Sequence, residues 1–365
     1  MAKSKEVKKS LDDILKELNK TYGAGAVISG NEMEKYDEVV STGSLSLDIA
    51  TGIGGIPVGN SGKIIEIYGW ESSGKSTITQ TIIGNYQKQC ERRCVLNDGE
   101  NSIDELYSSA LGIQLDKLLL IQLDETAGEG AYDKMFALVE SGEVGLVVID
   151  SYNSLQPKKL VDGETGDQSM GLHARMLGKV VMKANTYAGK YGCTFVFIGQ
   201  LREKIGVMYG DTSTTQGGNS LRFYSHMRME VSRSTTHDNS QWEGEKGKSD
   251  KTGNLTKVNI IKNKLAKPFR KAQFNIVYGQ GIDKYSEVVE VASDLQIIKK
   301  WGDSITHNET KYKIKEFTDL LQSNDEFFED LRKQCLNKVL NKNEDLLLNN
   351  KAVLTEKIQE NESED

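Results

Sequence analysis

Two glycines, a lysine and a serine occur at fixed spacing in Gly69–Ser76, which fits the pattern G-x-x-x-x-G-K-[ST]. The segment follows an apolar, β-branched run, Ile64–Tyr68, and precedes a stretch with apolar residues at helical spacing. Glycines let backbone N–H groups converge on phosphate oxygens, and the N-terminus of the following helix adds partial positive charge. Because strand, loop and helix occur in this order, the segment is predicted to bind a nucleoside triphosphate.

The side chains of this segment have separate roles in such a site. The lysine at position 75 reaches the β- and γ-phosphates, and the hydroxyl at position 76 is a ligand for Mg²⁺. The residues expected to contact the bound nucleotide are Gly69, Glu71, Ser72, Ser73, Gly74, Lys75, Ser76 and Thr77.

Three further polar side chains follow other predicted strands. Asp150 ends the apolar run 145–150 and is the second expected metal ligand, although an Asp after a strand is also common in turns. Glu100 is the candidate base that orients an attacking water, with helix capping as the alternative. Gln200 follows the run Thr194–Gly199 and is placed to contact the γ-phosphate. All three are expected at one edge of a sheet.

Two polar, glycine-containing stretches also follow strand ends, at residues 162–171 and 201–218. Loops of this length inside a compact domain are usually functional or disordered. Their Gly, Ser and Thr residues offer donors to phosphates, and Met or Tyr side chains stack on bases or insert between them. They are therefore candidate nucleic-acid contacts, and a lid over the nucleotide site is the alternative.

The charge of the chain is unevenly distributed. Its 46 Lys and Arg against 53 Asp and Glu give a net charge of -7, which as an average argues against a nucleic-acid partner. Residues 246–271, however, carry nine basic side chains and one acidic one, and the rest of the chain carries a net -15. Within this run Lys262 and Lys264 leave a strand end together, where they would bind either DNA phosphates or the γ-phosphate of a nucleotide on a neighbouring subunit.

Length and composition exclude several classes of protein. A chain of 365 residues suggests two or three domains. It has no run of the ~20 apolar residues that a membrane helix needs, and no apolar segment follows the N-terminal lysines. Its four cysteines are too few for a disulfide scaffold, and its four histidines are scattered. We therefore expect a cytoplasmic protein without a membrane partner.

From about residue 40 to 280, short apolar runs alternate with helical stretches. This alternation predicts right-handed crossovers and a mostly parallel sheet. The last three runs follow one another without long helices between them, which predicts an antiparallel end of the sheet. The predicted strands are 64–68, 94–97, 118–122, 146–149, 194–198, 227–231, 258–261 and 274–277.

The two ends of the chain differ from this core. Residues 1–35 contain a helical apolar stripe and a brief predicted strand, Ala26–Ser29, which together must dock on their own domain or on a neighbouring subunit. Residues 36–284 form the predicted core, 285–355 a C-terminal domain and 356–365 an acidic tail. The helices expected after the core are Leu295–Lys300, Ile314–Gln322, Glu326–Leu340 and Leu346–Gln359.

In order and spacing, several segments resemble the bacterial RecA recombinase family. The matching segments are Ser41–Asp48, Glu71–Ser76, Met170–Met176, Lys204–Gly210 and Gly217–Asn219. The resemblance implies an α/β fold with a RecA-type P-loop ATPase core, a mostly parallel central sheet, an N-terminal helix–strand arm and a small C-terminal helical or α+β domain. It also implies an ATP-dependent recombinase that forms helical filaments on single-stranded DNA, pairs it with homologous duplex and exchanges strands in recombinational DNA repair.

The resemblance assigns roles to individual residues. The catalytic residues that it implies are Glu100, Lys75 and Gln200. The nucleotide contacts that it adds are Asp104 and Tyr107 at the adenine, and Lys262 and Lys264 reaching ATP across the subunit interface. The implied DNA contacts are Met170, Gly171, Arg175, Arg202, Lys204, Met208, Tyr209, Gly217, Gly218 and Asn219. The implied subunit-interface residues are Val27, Ile28 and Phe223.

The expected cofactors are ATP and Mg²⁺, and the expected partners are single-stranded DNA, double-stranded DNA, further copies of the chain and a self-cleaving repressor. Two other functions stay open: a ring ATPase or helicase motor on the same fold, and an ATP-switched coat on single-stranded DNA without strand exchange. The chain also departs from the family pattern. Trp70 replaces its usual Pro, Asn60–Ser61 looks like an insertion, and the residues beyond Trp301 match weakly.

Overall fold

A computed structural model describes residues 9–22, 27, 38–60, 62–101, 103–163, 171–203, 213–215, 217–234, 242–243 and 250–340. The chain divides into two units, Met1–Lys35 and Tyr36–Asp365. Among the described residues, no helix is long and apolar enough to cross a membrane.

The first unit contains helix α1 (Leu11–Tyr22). The hydroxyl of Ser10 accepts a hydrogen bond from the N–H of Asp13, which starts the helix. Leu11 is 72% exposed, so the apolar stripe of α1 lacks a partner within the described part of its own unit. Of the predicted strand Ala26–Ser29, only Val27 lies within the described residues, and the side-chain amide of Asn19 hydrogen-bonds both its N–H and its C=O.

The second unit is organised around one large sheet. The strands of this sheet are β3 (Ile64–Gly69), β4 (Arg93–Asp98), β5 (Leu118–Gln122), β6 (Val144–Asp150), β7 (Thr194–Glu203), β8 (Ser213–Thr215), β9 (Met227–Arg233), β12 (Gly253–Asn263), β13 (Lys271–Val277) and β14 (Gly281–Ile282). They are arranged in the order β14-β13-β12-β9-β3-β7-β6-β4-β5, and β8 pairs with β7 outside this order. Two small ribbons lie apart from it: β1 (Glu38–Val40) with β2 (Ile56–Val58), and β10 (Trp242–Glu243) with β11 (Asp250–Lys251).

All eight strands predicted from apolar runs are present. The five pairs from β5 to β9 across the middle of the sheet are parallel. The pairs of β12 with β9 and with β13 are antiparallel, as the close spacing of the last three runs predicts. The mixed, mostly parallel α/β sheet expected from the sequence is confirmed.

Helices cover both faces of the sheet, which is why its strands read as continuous apolar runs. The helices of this part are α2 (Leu45–Thr51), α3 (Lys75–Gln89), α4 (Glu105–Ala110), α5 (Ala127–Glu140), α6 (Lys158–Val161), α7 (Leu172–Tyr191) and α8 (Ser220–Tyr224). In the core on one face of the sheet, α3 packs against residues such as Ile65 and Val196. In the core on the other face, α5 and α7 pack against residues such as Ile64 and Phe195.

The C-terminal part is α+β rather than only helical. Helix α9 (Lys284–Asp294) precedes a three-stranded antiparallel sheet, and α10 (Ile314–Ser323) and a helix over 325–340 follow it. The helix predicted at Leu295–Lys300 is wrong: α9 ends before Leu295, Gln296 has φ +55°, and Lys299 already pairs in a strand. The strands of this sheet are β15 (Lys299–Trp301), β16 (Ser304–His307) and β17 (Thr310–Lys313).

Two buried polar contacts tie the C-terminal part to α2. The carboxylate of Glu287 accepts hydrogen bonds from the hydroxyls of Ser44 and Ser46, both 2.6 Å away, and from two backbone N–H groups. Its burial outweighs these donors and raises the pKa of Glu287 to about 7. Arg332 forms an ion pair of 2.6 Å with the buried Asp48. These contacts from α9 and from the helix over 325–340 therefore hold the start of α2 in place.

Candidate functional site

The phosphate-binding segment lies between the carboxyl end of β3 and the first turn of α3. Gly74 has φ +101°, and a Cβ there would lie 2.5 Å from the Cδ1 of Ile276, so that both backbone and space demand glycine. A Cβ at Gly69 would collide with the carbonyl oxygen of Val231 on the neighbouring strand β9. The two motif glycines are therefore fixed by the packing of the loop against β9 and β13.

Lys75 is 7% exposed, and its Nζ donates a hydrogen bond of 2.7 Å to the carbonyl oxygen of Trp70. Because this contact uses the main chain, it does not depend on the side chain at position 70. Burial lowers the pKa of Lys75, and the carboxylates of Asp150, Glu100 and Glu71 oppose that shift. The ammonium of Lys75 is thus surrounded by carboxylates. A bound phosphate would compete with them, and with the carbonyl of Trp70, for this ammonium.

A cavity of about 590 Å³ opens in front of this loop. Two atoms of its lining residues, the hydroxyl of Ser73 and the side-chain oxygen of Asn254, are buried without a hydrogen-bond partner in the described part of the chain. Buried polar atoms without partners are costly, so they favour a polar ligand here. The lining residues are Ser72, Ser73, Gly74, Lys75, Ser76, Thr77, Tyr107, Arg233, Asn254, Ile276, Tyr278 and Gly279.

Ser76 and Asp150 meet at the carboxyl edge of the sheet, where the hydroxyl of Ser76 hydrogen-bonds to the carboxylate. Burial raises the pKa of Asp150 to about 6, and the nearby carboxylates of Glu100 and Asp98 add to this shift. A hydroxyl and a carboxylate are oxygen ligands of the type that Mg²⁺ takes beside substrate phosphates. No cluster of three metal-ligating side chains occurs among the described residues, so this pair fits a metal held mainly by substrate and water.

Glu100 is exposed and is held by two neighbours. Its Oε1 accepts hydrogen bonds of 2.8 Å from the hydroxyl of Ser151 and of 2.7 Å from the Nε2 of Gln200. Both bonds end on the same oxygen, so within the described chain the Oε2 of Glu100 has no partner. The backbone N–H of Gln200 donates in turn to the Oδ1 of Asn153, 2.9 Å away. Three predicted side chains, Asp150, Glu100 and Gln200, thus share one sheet edge.

The two predicted adenine contacts lie on the other side of the phosphate loop. Asp104 caps α4, with its carboxylate accepting a hydrogen bond of 2.6 Å from the N–H of Tyr107. The hydroxyl of Tyr107 lies 2.8 Å from the Oγ1 of Thr77, on α3. Tyr107 therefore lines the cavity, whereas Asp104 fixes the helix that carries it.

Lys262 and Lys264 are not near the phosphate loop of their own chain. In the sheet register Lys262 pairs with Arg228, which pairs with Glu66, the third residue of β3, and the N–H of Lys264 binds the carbonyl of His226, two positions further back. At ~3.3 Å per residue, Lys262 therefore lies about 10 Å and Lys264 about 17 Å before the end of β3 at which the loop begins.

At this opposite edge the two lysines bind main-chain carbonyls at the end of α8. Lys262 donates to Arg222 at 2.6 Å and to Phe223 at 2.9 Å, and Lys264 donates to Phe223 at 3.4 Å. Burial and the nearby charges of Lys264 and Arg228 lower the pKa of Lys262. The side chain of Phe223 beside them is 71% exposed.

The ends of the two predicted DNA-binding stretches meet near the carboxyl edge. Strand β7 continues past Gln200 and pairs with β8, so that the second stretch leaves the sheet as a hairpin. A Cβ at Gly218 would lie 3.3 Å from that of Ala174 in the first turn of α7, which follows the first stretch. The predicted contacts within the described residues are Gly171, Arg175, Arg202, Gly217, Gly218 and Asn219; Met170, Lys204, Met208, Tyr209 and the interface residue Ile28 lie outside them.

Sequence reasoning missed several residues of the site. Ser151 and Asn153 follow a strand in a turn, and no motif marks them as the partners of Glu100 and Gln200. Asn254 and Tyr278 come from β12 and the turn after β13, far along the chain from the phosphate loop. Only the pairing of β12 beside β9 brings them to the cavity, and a local pattern cannot show that pairing.

Comparison with known proteins identifies the family. The model of the RecA N-terminal domain matches residues 9–283. The chain is 39% identical over 312 residues to protein RecA of Clostridioides difficile, covering 85% of this chain and 86% of that protein. It is 43% identical over 308 residues to protein RecA of Streptococcus pyogenes serotype M49, with coverages of 84% and 79%. For protein RecA of Streptococcus mutans the identity is 41% over 333 residues, with coverages of 89% and 83%.

The chain belongs to the RecA family.

Membership assigns the chain the activity of this family. It is an ATP-dependent recombinase of DNA repair with a DNA-dependent ATPase activity, and it binds DNA and forms filaments. Neither a ring motor nor a coat without strand exchange is favoured. The RecA match ends at residue 283, one residue before α9 begins.

Proposed function

We propose that this member of the RecA family hydrolyses ATP in the cavity beside Lys75, with Glu100 as the base, and couples hydrolysis to strand exchange on single-stranded DNA bound by residues 162–171 and 201–218. The observation that carries the proposal is the pair of hydrogen bonds that hold Glu100, whose carboxylate acts on the ammonium of Lys75 in the lining of that cavity. Bound Mg²⁺, held by Ser76 and Asp150, would neutralise charge on the phosphates.

In the proposed reaction a water attacks the γ-phosphorus while the bond to the β,γ-bridging oxygen breaks. The Oε2 of Glu100, the oxygen without a partner within the described chain, takes the proton of the water. Ser151 and Gln200 hold the carboxylate through its other oxygen, and Gln200 is placed to sense the γ-phosphate. Lys75 exchanges its bond to the carbonyl of Trp70 for one to a phosphate oxygen, so that the buried ammonium keeps a partner.

The site is completed by a second copy of the chain. Lys262 and Lys264 lie about 10 Å and 17 Å along the sheet from the start of their own phosphate loop, and both ammonium groups bind carbonyls at the end of α8. In this proposal they therefore reach the nucleotide of a neighbouring subunit. Such a contact is head-to-tail, and a head-to-tail contact whose rotation does not close builds a filament. Phe223, exposed beside the lysines, then becomes buried at the interface.

A second contact of the filament involves the far edge of the sheet. Within the described chain β5 pairs only with β4, and its Leu120 is 38% exposed over a hollow lined by Lys134, Ala137 and Leu138. An apolar strand edge of this kind accepts an added strand. We propose that the segment around Val27 and Ile28 of a neighbouring copy adds there. Duplex DNA as a second substrate, a self-cleaving repressor as a partner and a cytoplasmic location are part of the same proposal.

The test is the variant Glu100→Gln, which keeps the size and the acceptor oxygen of the side chain but is not a base. We expect its ATP turnover in the presence of single-stranded DNA to fall by about 10²- to 10⁴-fold, while ATP binding and ATP-dependent DNA binding persist. Glu105→Gln, an exposed acid on α4, is the matched control and should hydrolyse ATP like the wild type. Equal turnover by Glu100→Gln would remove Glu100 as the base.

A further inference from the structure

A buried tyrosine, Tyr152, lies two residues after Asp150, the last residue of β6. Its side chain and its backbone carbonyl contact residues at the ends of the two DNA-binding stretches. Tyr152 is fully buried. Its hydroxyl donates a hydrogen bond of 3.3 Å to Glu66 in the middle of the central sheet, and the guanidinium of Arg228 binds the other oxygen of that carboxylate. The phenol is therefore anchored to a buried ion pair of the central sheet.

The other contacts of Tyr152 reach the second stretch. The hydroxyl of Thr215, at the end of β8, hydrogen-bonds to that of Tyr152. The ring also fills the space beside two glycines: a Cβ at Gly199 would lie 2.8 Å from its Cζ, and a Cβ at Gly217 would lie 3.5 Å from its Cε2. Gly199 precedes Gln200 in β7, and Gly217 follows β8. The ring of Tyr152 therefore packs against the strand that carries the proposed γ-phosphate sensor and against the end of the second DNA-binding stretch.

The backbone of the same turn reaches the first stretch and the nucleotide. The carbonyl of Tyr152 accepts a hydrogen bond of 2.9 Å from the Nε2 of His173, in the first turn of α7. The next residue, Asn153, holds the N–H of Gln200, and the preceding one, Ser151, holds Glu100. Three consecutive residues thus contact the proposed base, the proposed sensor and the ends of both DNA-binding stretches.

We propose that Tyr152 and Asn153 are positioning residues that couple the two DNA-binding stretches to the ATPase site. Asn153 fixes the backbone of Gln200, and the hydroxyl of Tyr152 fixes Thr215 relative to the sheet. DNA bound to the two stretches shifts this turn, and Glu100 and Gln200 move with it. The inference rests on the proposed function, because it takes these stretches as the DNA contacts.

The test compares two tyrosine variants that each remove one buried hydroxyl. Tyr132, in α5, is equally buried, but its hydroxyl has no hydrogen-bond partner among the described residues, which makes Tyr132→Phe a matched control. ATP hydrolysis is measured with and without oligo-dT, and the ratio of the two rates is the readout. For Tyr152→Phe we expect this ratio to fall by about fivefold or more, the size of a modest coupling between sites, with the DNA-free rate within about twofold of wild type. Tyr132→Phe keeps the wild-type ratio.

A double-mutant cycle separates coupling from a loss of stability. Thr215→Val should lower the same ratio, and adding Tyr152→Phe to it should cost less than the sum of the two single effects. Both variants remove the bond between Tyr152 and Thr215, and only Tyr152→Phe also removes the bond to Glu66. Asn153→Ala should lower kcat with the KM for ATP unchanged, because the phosphate loop that binds the nucleotide is not altered. Thermal unfolding of each variant accompanies the kinetics.

Each outcome has one meaning. A wild-type protein whose ATP hydrolysis ignores oligo-dT would overturn the proposed function. A responsive wild type, with Tyr152→Phe and Tyr132→Phe giving the same ratio, would overturn this inference alone. Strictly additive losses in Tyr152→Phe and Thr215→Val would also overturn it, because they would show two independent contacts.

Discussion

At the carboxyl edge of the central sheet Glu100 is held by the side chains of Ser151 and Gln200, whereas at the opposite edge Lys262 and Lys264 bind main-chain carbonyls. The first edge has the proposed base, a candidate metal pair and a buried cation. The second has two cations and an exposed Phe223, with no ion-pair partner for either lysine among the described residues. If both lysines belong to the nucleotide site, as proposed, each edge holds part of that site and only two chains bring the parts together.

The largest effect is expected from two variants, each of which carries substitutions at only one of the two edges. Lys75→Ala leaves the lysine edge intact, and the double variant Lys262→Ala, Lys264→Ala leaves the phosphate loop intact. We expect each alone to lose nearly all DNA-stimulated ATP hydrolysis. In an equimolar mixture roughly a quarter of the head-to-tail contacts combine two intact edges, and hydrolysis should return to that extent. Phosphate release on mixing is the measurement.

Two controls complete this experiment. Mixing Lys75→Ala with a chain that carries all three substitutions should restore nothing, because no contact then combines an intact loop with intact lysines. If the two single-edge variants also fail to complement each other while both still join filaments in electron micrographs, the lysines act on their own chain or on DNA.

A second, smaller effect distinguishes the two roles that the sequence left open for the lysines. If Lys262 and Lys264 complete a neighbouring nucleotide site, their replacement by Ala should remove the effect of ATP on filament assembly and leave the salt dependence of DNA binding unchanged. As DNA phosphate contacts they would instead lower the slope of log K against log salt by about two. Oligo-dT binding between 50 and 200 mM salt separates the two results, and Lys267→Ala is an exposed control from the same basic run.

The smallest effect concerns what holds the lysine edge in place. Asn263, between the two lysines, donates to the carbonyl of Thr51 at the end of α2, and Glu287 fixes the start of that helix. Burial raises the pKa of Glu287 from 4.5 to about 7. The protonated acid therefore stabilises the fold below pH 4.5, and this contribution is lost as the pH rises through 7.

The pH change should be absent without the titrating group. Between pH 5 and 8 we expect the wild type to lose on the order of 3 kcal/mol of unfolding free energy through this group. Glu287→Gln should lack that slope, and Glu290→Gln, exposed on the same helix, should keep it. Urea unfolding across the pH range measures this, and a slope shared by all three proteins would contradict the role of Glu287.

The sequence predicted the parts of this molecule that local patterns determine. The eight strands follow from apolar runs buried on both faces, and the phosphate loop follows from glycine spacing between a strand and a helix. The helix predicted at Leu295–Lys300 was wrong because pairing with β16 overrides the helical pattern there. Tyr152 and Asn153 gave no signal, since their importance comes from contacts with Glu66, Gln200 and Thr215 that only the sheet order creates.

If copies join carboxyl edge to lysine edge, as proposed, the difference between the two edges also gives a filament unlike ends. One terminal subunit then presents its nucleotide cavity to solvent without a neighbour's lysines. A filament of n subunits then has n minus one complete sites, so the ATP turnover per subunit rises with filament length. Nucleotide at the incomplete terminal site is hydrolysed last, and loss and gain of subunits therefore occur under different chemical states at the two ends.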